Sequence, residues 1–383
     1  MHIAWLGKKS PFCGNVTYSR EVTNALLDRG NRVSFLHFAS EESEKDDLPH
    51  HSEVLLPFLY KSQIYTIPSF HSSKVLMRSL KELQPDLVHA SLTLSPLDFL
   101  LPEICQELNL PLIATFHPAF DGNKLRNLQA STQFFTYQLY APFLAHYDRV
   151  IVFSHIQKDL LLKMGLKPEQ LVVIPNGVDT NKYSPGVSHL KQKYQAKHLF
   201  IYQGRIAIEK NLEALLKAWK YCNLGEDCQL LIVGDGPLAP ALKLSYGKTE
   251  GIIWLGFIAD EQERINLLRG VDVFILPSLV EGLSLSLLEA MSCGVATIAT
   301  NAGADGEVLE GGAGIVLETK GVTTQLKTLL PILRDQPEFT QTLGQKARQR
   351  VLERYTLEDN ITKLELLYQD VLKSGKNNFS HLK

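Results

Sequence analysis

Short runs of apolar and β-branched residues alternate with amphipathic stretches from one end of the chain to the other. Ile3–Leu6, Val33–Phe38, Asp86–Ala90, Leu112–Phe116, Arg149–Phe153 and Leu171–Ile174 read as strands. A second series follows at Leu199–Gln203, Leu230–Val233, Ile252–Leu255, Val271–Leu276 and Ala296–Ala299. Between them apolar positions recur at helical spacing, as at Val22, Leu26 and Leu27 before Gly30, over Lys74–Leu83, and from about Lys124 to His146. Helix starts are signalled by Ser95 with Pro96 after it and by Ser154 with Gln157 three residues on. Strands that are apolar throughout, separated by helices, belong to parallel sheets covered on both faces. The pattern predicts two doubly wound α/β domains, 1–178 and 179–355, with Asn176–Pro185 as the clearest linker. Leu357–Leu372 reads as a final helix, and Ser374–Lys383 as a polar tail that frays.

In such sheets ligands bind at the carboxyl ends of the strands, so the loops there carry the chemistry. Pro277–Gly294 is the most informative of them. The apolar run Val271–Leu276 stops at Pro277-Ser278, and a helix is predicted from Ser284, with Leu285, Leu288 and Met291 on one face and Gly294 as its stop. Unpartnered N–H groups at a helix start favour an anion. Glu281 precedes that helix and Glu289 lies inside it. Two carboxylates beside an anion site suit a ligand with a phosphate in the middle and hydroxyls at both ends, as in a nucleotide sugar. The plainer alternative is two glutamates that meet only water.

Gly204-Arg205-Ile-Ala-Ile-Glu-Lys210 follows the strand Leu199–Gln203. Arg205 as a fork and Lys210 as a point charge suit a diphosphate, whose charge grows as a sugar–phosphate bond breaks. The alternative pairs them with Glu209 or Glu213 on the surface. Val233-Gly234-Asp-Gly-Pro237 is a glycine-rich turn that is weak evidence by itself, and neither a dinucleotide fingerprint nor a Walker A loop is present. His117 directly follows a buried strand, where it serves either a ligand hydroxyl or leaving oxygen, or merely a backbone carbonyl. Pro11-Phe-Cys-Gly14-Asn15 opens the first helix, with Gly14 permitting close approach of a ligand or simply making a turn.

Charge narrows the field. The net charge is −2, and it is not split between halves: residues 1–178 carry 16 basic and 17 acidic side chains against 23 and 24 in the rest. No field favours nucleic acid. Five scattered cysteines without a C-x-x-C pair argue for a reducing compartment and against a structural zinc. The first residues, Met1–Lys9, lack the features of a signal peptide, and no apolar run is long enough to span a bilayer. A cytoplasmic protein is expected, meeting a membrane, if at all, from its surface.

Taken together, Glu281 and Glu289 at E-x7-E spacing, Ala290-Met-Ser-Cys-Gly294, Gly204-Arg205 with Glu209-Lys210, Val233–Pro237, Trp254-Leu-Gly-Phe257 and Asn176-Gly-Val-Asp179 resemble family 4 of the retaining glycosyltransferases. The resemblance covers most of the chain and is densest from about 170 to 320. It implies a GT-B fold, two Rossmann-like domains facing a cleft, with a last segment, 356–383, that returns to the first. It implies catalytic roles for Glu281, His117, Arg205 and Lys210. Glu281 would meet the donor sugar, and Arg205 and Lys210 the diphosphate. Glu289 would bind the ribose. Gly14, Asn15, Gly204, Gly234, Gly282, Leu283, Ser284 and Leu285 would complete the substrate site. No metal or other cofactor is implied, because the two cations stand in for it, and no dedicated base is required for front-face attack. Two positions depart from the family pattern. Leu283 and Ser284 replace the usual Phe-Gly after Glu-Gly, and Asn15 stands where a second glycine is common.

Nine of the residues from Val54 to Phe70 are Leu, Ile, Phe or Tyr, broken by two prolines. They form either a surface for lipid or an apolar acceptor, or a connector packed into the first domain's core. Phe134, Phe135, Tyr137, Tyr140 and Phe143 form a second aromatic-rich element, mostly expected in the core. Gly7–Thr17 and Ala114–Pro118 resemble, more loosely, the bacterial digalactosyldiacylglycerol synthases. That resemblance implies UDP-galactose as donor and monogalactosyldiacylglycerol as acceptor. A polysaccharide or soluble acceptor, a GT-B sugar-nucleotide epimerase and a non-catalytic sensor are the competing readings.

Overall fold

Among the described residues, seven parallel strands build the first of two parallel sheets in the order Ser52–Leu55, Arg32–His37, His2–Leu6, Leu87–Ser91, Leu112–Thr115, Arg149–Val152, Leu171–Val173. The computed structural model describes residues 1–10, 13–38, 52–62, 65–92, 94–119 and 128–380. Two units make up the chain. One comprises Met1–Pro118, Phe134–Asn176 and Leu357–Lys383, and Gly177–Thr356 forms most of the other.

Within the first unit, chain order steps outward from His2–Leu6 on one side and from Leu87–Ser91 on the other, so the winding reverses between these two strands. Every residue of Leu87–Ser91 is buried. Ile3, Trp5 and Leu6 are 0 to 1% exposed, and each fully buried apolar side chain contributes about 1.5–3 kcal/mol. The helix Leu357–Ser380 packs on this unit through buried Tyr368, and Arg29 binds its Glu365 at 3.0 Å. It is longer than the sequence pattern suggests; residues 381–383 of the expected tail lie outside the described residues.

The second sheet runs Ile252–Gly256, Cys228–Val233, His198–Gln203, Val273–Leu276, Ala296–Thr300, Ile315–Leu317, again all parallel. Numbered along the unit this is 3-2-1-4-5-6, the dinucleotide-fold order. Its reversal falls between His198–Gln203 and Val273–Leu276, the strands that lead into the Arg205 and Glu281 loops. All five cysteines are free.

Sequence reading misses Ser52–Leu55 and Ile315–Leu317, edge strands whose partial exposure leaves no continuous apolar run. It also misses a hairpin. Phe58–Lys61 pairs antiparallel with Thr66–Pro68. Leu59, Tyr60, Tyr65, Ile67 and Phe70 are exposed there, whereas Leu56 and Thr66 are fully buried, so the segment is packed into the first unit at some positions and open at others. The long aromatic helix is Leu128–Leu144, with Lys124 outside the described residues. Tyr137 and Tyr140 are buried while Phe135 is 63% exposed.

Candidate active site

Ser284 caps the helix Leu285–Ser292 by accepting from the Leu287 N–H at 3.3 Å, and Gly294, at φ +78, ends it. The loop before this helix carries Glu281, 6% exposed. Its Oε1 accepts from Lys210 Nζ at 2.5 Å and from the Ser278 hydroxyl at 2.7 Å. Two loops that are 71 residues apart in sequence thus meet at one carboxylate oxygen. Backbone contacts hold them there: the Leu279 N–H donates to Glu209 O at 2.7 Å, and the Asn211 amide donates to Pro277 O at 3.1 Å.

Arg205 lies on the same loop as Lys210, its guanidinium 3.7 Å from Glu209. That separation is long for a hydrogen-bonded pair, and Arg205 Nε is buried with no hydrogen-bond partner among the described residues. The alternative surface pairing therefore describes Arg205 only loosely and Lys210 not at all; Glu213 pairs with Lys217 instead. Glu289, also buried, accepts from the Gln203 amide at 3.1 Å, so the helix carboxylate is tied to the end of the neighbouring strand.

Glycines shape the Arg205 loop. Gly234 has φ +131, and a Cβ there would lie 1.9 Å from Gly204 O; at Gly236 a Cβ would meet Ile206 O at 2.5 Å. The Val233–Pro237 turn is therefore a bed for Gly204–Ile206, and the Ile206 N–H donates to Asp235 O at 2.9 Å. Gly303 does the same beneath the acidic loop, where a Cβ would come within 2.2 Å of Glu281 O. Leu283 is buried, whereas Gly282 and Leu285 are half-buried.

Asp305 is a residue that sequence reading missed. It is 1% exposed and accepts from the Ser284 N–H at 2.9 Å. Burial first, then the Glu281 carboxylate, push its pKa well above the usual range. The available signal was a polar loop after the apolar strand Ala296–Thr300, but only sheet order places that loop beside Glu281. Tyr202 was missed too; its hydroxyl donates to Arg205 O at 2.7 Å and fixes the turn.

His117 belongs to the first unit and lies just beyond the strand Leu112–Thr115. Its Nε2 is 2.8 Å from Ser91 Oγ. Burial, and then the Lys8 ammonium, lower its pKa to about 3, so the ring is neutral at pH 7. Gly14 starts the helix Gly14–Asp28, and a Cβ there would meet nothing within 4 Å, so the fold itself does not demand glycine. Asn15 is engaged by the fold. Its amide nitrogen donates to Leu92 O at 3.1 Å and its oxygen accepts from Ser91 Oγ at 2.8 Å. Pro11 and Phe12 of this motif lie outside the described residues.

Two Rossmann-like units, one carrying cations and carboxylates at its switch point, define the GT-B class. Solved structures match nearly the full length of the chain. Anabaena Alr3699/HepE in complex with UDP-glucose matches at TM-score 0.78 and 19% identity, over 98% of this chain and 100% of that one. Sucrose-phosphate synthase from Thermosynechococcus elongatus matches at 0.77 and 21%, over 97% and 99%. Two family models each match a part of the chain: residues 13–182 are similar to Glycosyltransferase Family 4 and residues 189–350 to Glycosyl transferases group 1. Among curated relatives, the UDP-Gal:alpha-D-GlcNAc-diphosphoundecaprenol alpha-1,3-galactosyltransferase of Escherichia coli is 28% identical over 58% of this chain and 60% of its own. Sulfoquinovosyl transferase SQD2 of Arabidopsis thaliana is 25% identical over 76% and 57%. The chain thus spans rather more than half the length of these relatives.

Proposed function

We propose that this protein is a retaining hexosyltransferase that moves a sugar from a nucleotide sugar, UDP-galactose or UDP-glucose, to a glycolipid acceptor. The observation that carries the reading is the meeting of Lys210 and Glu281 at the switch point of the second sheet, beside an Arg205 whose Nε has no hydrogen-bond partner among the described residues. A diphosphate offers that guanidinium the acceptor oxygens it lacks. As the sugar–phosphate bond lengthens, negative charge gathers on the diphosphate, and fixed cations stabilise it more than they do the ground state. Glu281 orients the sugar through its hydroxyls, and Glu289 takes the ribose. The acceptor hydroxyl attacks the same face from which the phosphate departs, and the departing phosphate oxygen takes its proton. Anomeric configuration is then retained without a separate base.

The lipid side of the reading is supported by the exposed hairpin, where Leu59 is 64% and Phe70 93% exposed. Two relatives whose names include GlcNAc-diphosphoundecaprenol and phosphatidylinositol dimannoside support it as well. Among the described residues, no helix is long and apolar enough to cross a membrane, so contact would be peripheral. Monogalactosyldiacylglycerol is the acceptor we favour, giving digalactosyldiacylglycerol on a cytoplasmic membrane face. The test is incubation with labelled UDP-galactose or UDP-glucose and candidate lipids, followed by extraction into organic solvent. Label moving with lipid, with its anomeric configuration unchanged, supports the reading. Label on a soluble product points to another acceptor, and turnover without any acceptor to an epimerase. Tight donor binding without turnover would leave a sensor.

A further inference from the structure

One hydrogen-bond chain near His117 has a direction that the atoms themselves fix. Asn15 donates its amide N–H to Leu92 O at 3.1 Å, and the opposite flip would set two carbonyl oxygens against each other. Asn15 Oδ1 therefore faces Ser91 Oγ, 2.8 Å away. Only the Ser91 hydrogen can lie between these two oxygens, because an amide oxygen has none to give. Ser19, 3.3 Å from Ser91 Oγ and 3.4 Å from Asn15 Oδ1, adds a second donor to the cluster without altering this count. With its one hydrogen spent, Ser91 Oγ can only accept from His117 Nε2, at 2.8 Å. The rings of Tyr18 and Phe153 flank the imidazole at 4.9 and 5.2 Å between centroids and hold its plane.

We propose that Asn15 and Ser91 are positioning residues that keep the His117 hydrogen on Nε2, so that the nitrogen His117 offers a substrate is Nδ1, an acceptor for a sugar hydroxyl. The tautomer stands on the first unit's geometry alone; the sugar hydroxyl rests on the glycosyltransferase reading. In this arrangement His117 gives no proton to a leaving oxygen. It selects a substrate that has a hydroxyl to donate, and a deoxy substrate would leave Nδ1 unsatisfied.

The test is long-range 1H–15N correlation spectroscopy at pH 7 on the full chain labelled at histidine, with His117→Gln assigning the resonance. The expected result is a hydrogen on Nε2 and a lone pair on Nδ1 in the wild type. Ser91→Ala and Asn15→Gly should give averaged tautomers and a kcat/KM about tenfold lower, equivalent to about 1.4 kcal/mol. Ser91→Thr should restore both. If Ser91→Ala does not fold, Asn15→Gly decides, with circular dichroism confirming its fold. A wild-type hydrogen on Nδ1, or a tautomer unmoved in the folded variants, overturns the relay. A moved tautomer with unchanged kcat/KM overturns the role toward substrate. The relay confirmed in a chain that turns over no nucleotide sugar would sink the transferase reading and leave the relay standing.

Discussion

Lys210 Nζ lies 2.5 Å from Glu281 Oε1, with the lysine side chain 21% exposed and the glutamate 8%. A pair this enclosed matters through its parts. Removing one partner leaves the other charge poorly solvated, and breaking a buried pair typically costs about 3–5 kcal/mol, less where one side chain keeps some solvent. The pair also joins two loops, so it sets the distance between the cation proposed to meet a diphosphate and the carboxylate proposed to meet a sugar.

Glu281→Ala and Lys210→Ala are each expected to lower turnover at least about 100-fold, the scale of one strong electrostatic contact in a transition state. The double variant should fall well short of the product of the two losses, because the residues act as a unit. Steady-state kinetics with circular dichroism checks this. Near-normal activity in either folded single variant would remove it from the machinery.

Asp305 is expected to behave differently. Its carboxyl is pushed toward the protonated form, and its recorded task is to accept the Ser284 N–H. Asp305→Asn keeps that acceptor and should stay within about threefold of wild-type turnover, whereas Asp305→Ala should lose about 1–3 kcal/mol of stability. A large loss of kcat in the asparagine variant would show that the negative charge itself is needed.

Gly234→Ala tests the glycine bed. A left-handed backbone and a Cβ placed against Gly204 O force the Arg205 loop to shift. Strain of this kind costs about 1–3 kcal/mol. Weaker binding of nucleotide diphosphate by calorimetry should accompany it; unchanged affinity would separate this turn from the site.

His89 gives a pH dependence. It is fully buried, stacked on Trp5 at 4.1 Å, and bonded to Tyr368 at 2.5 Å and Thr115 at 2.7 Å. Burial, then His117, lower its pKa to about 3, against about 6.5 in an unfolded chain. The folded state thus holds the neutral ring, and acid favours the unfolded chain. Stability is complete above about pH 6.5 and is lost as pH falls toward 3, by up to about 1.4 kcal/mol per unit, or about 2 kcal/mol at pH 5. Urea midpoints at pH 7 and pH 5 should show this, and His89→Gln should shrink the difference by about 2 kcal/mol, leaving the part due to His117 and His37, whose pKa values burial also lowers. An equal slope in the variant would assign the acid loss to other groups.

Replacing Leu59, Tyr60 and Phe70 together by serine should weaken flotation with galactolipid vesicles while leaving the melting temperature nearly unchanged, since these side chains are exposed. Equal flotation would take the hairpin out of lipid binding.

Much of the architecture was legible because buried parallel strands announce themselves as unbroken apolar runs. Leu199–Gln203 and Ala296–Ala299 were found within one residue at either end for that reason. Ser52–Leu55 was not, because an edge strand that is partly exposed carries no such run. The Ser284 cap was legible, as capping is local. The partners of the site residues were not: Ser278 for Glu281, Gln203 for Glu289 and Ser91 for His117 are joined by contact, not by spacing.

The sequence by itself determined which loops carry charge, because strand, turn and helix signals are short-range and place Arg205, Lys210, Glu281 and Glu289 after strands. Only the tertiary structure decided which of them touch. That outcome depends on the order of strands in the sheet, where His198–Gln203 lies beside Val273–Leu276 although more than 60 residues separate them. No local preference encodes that adjacency, and the closeness of Lys210 to Glu281 follows from it.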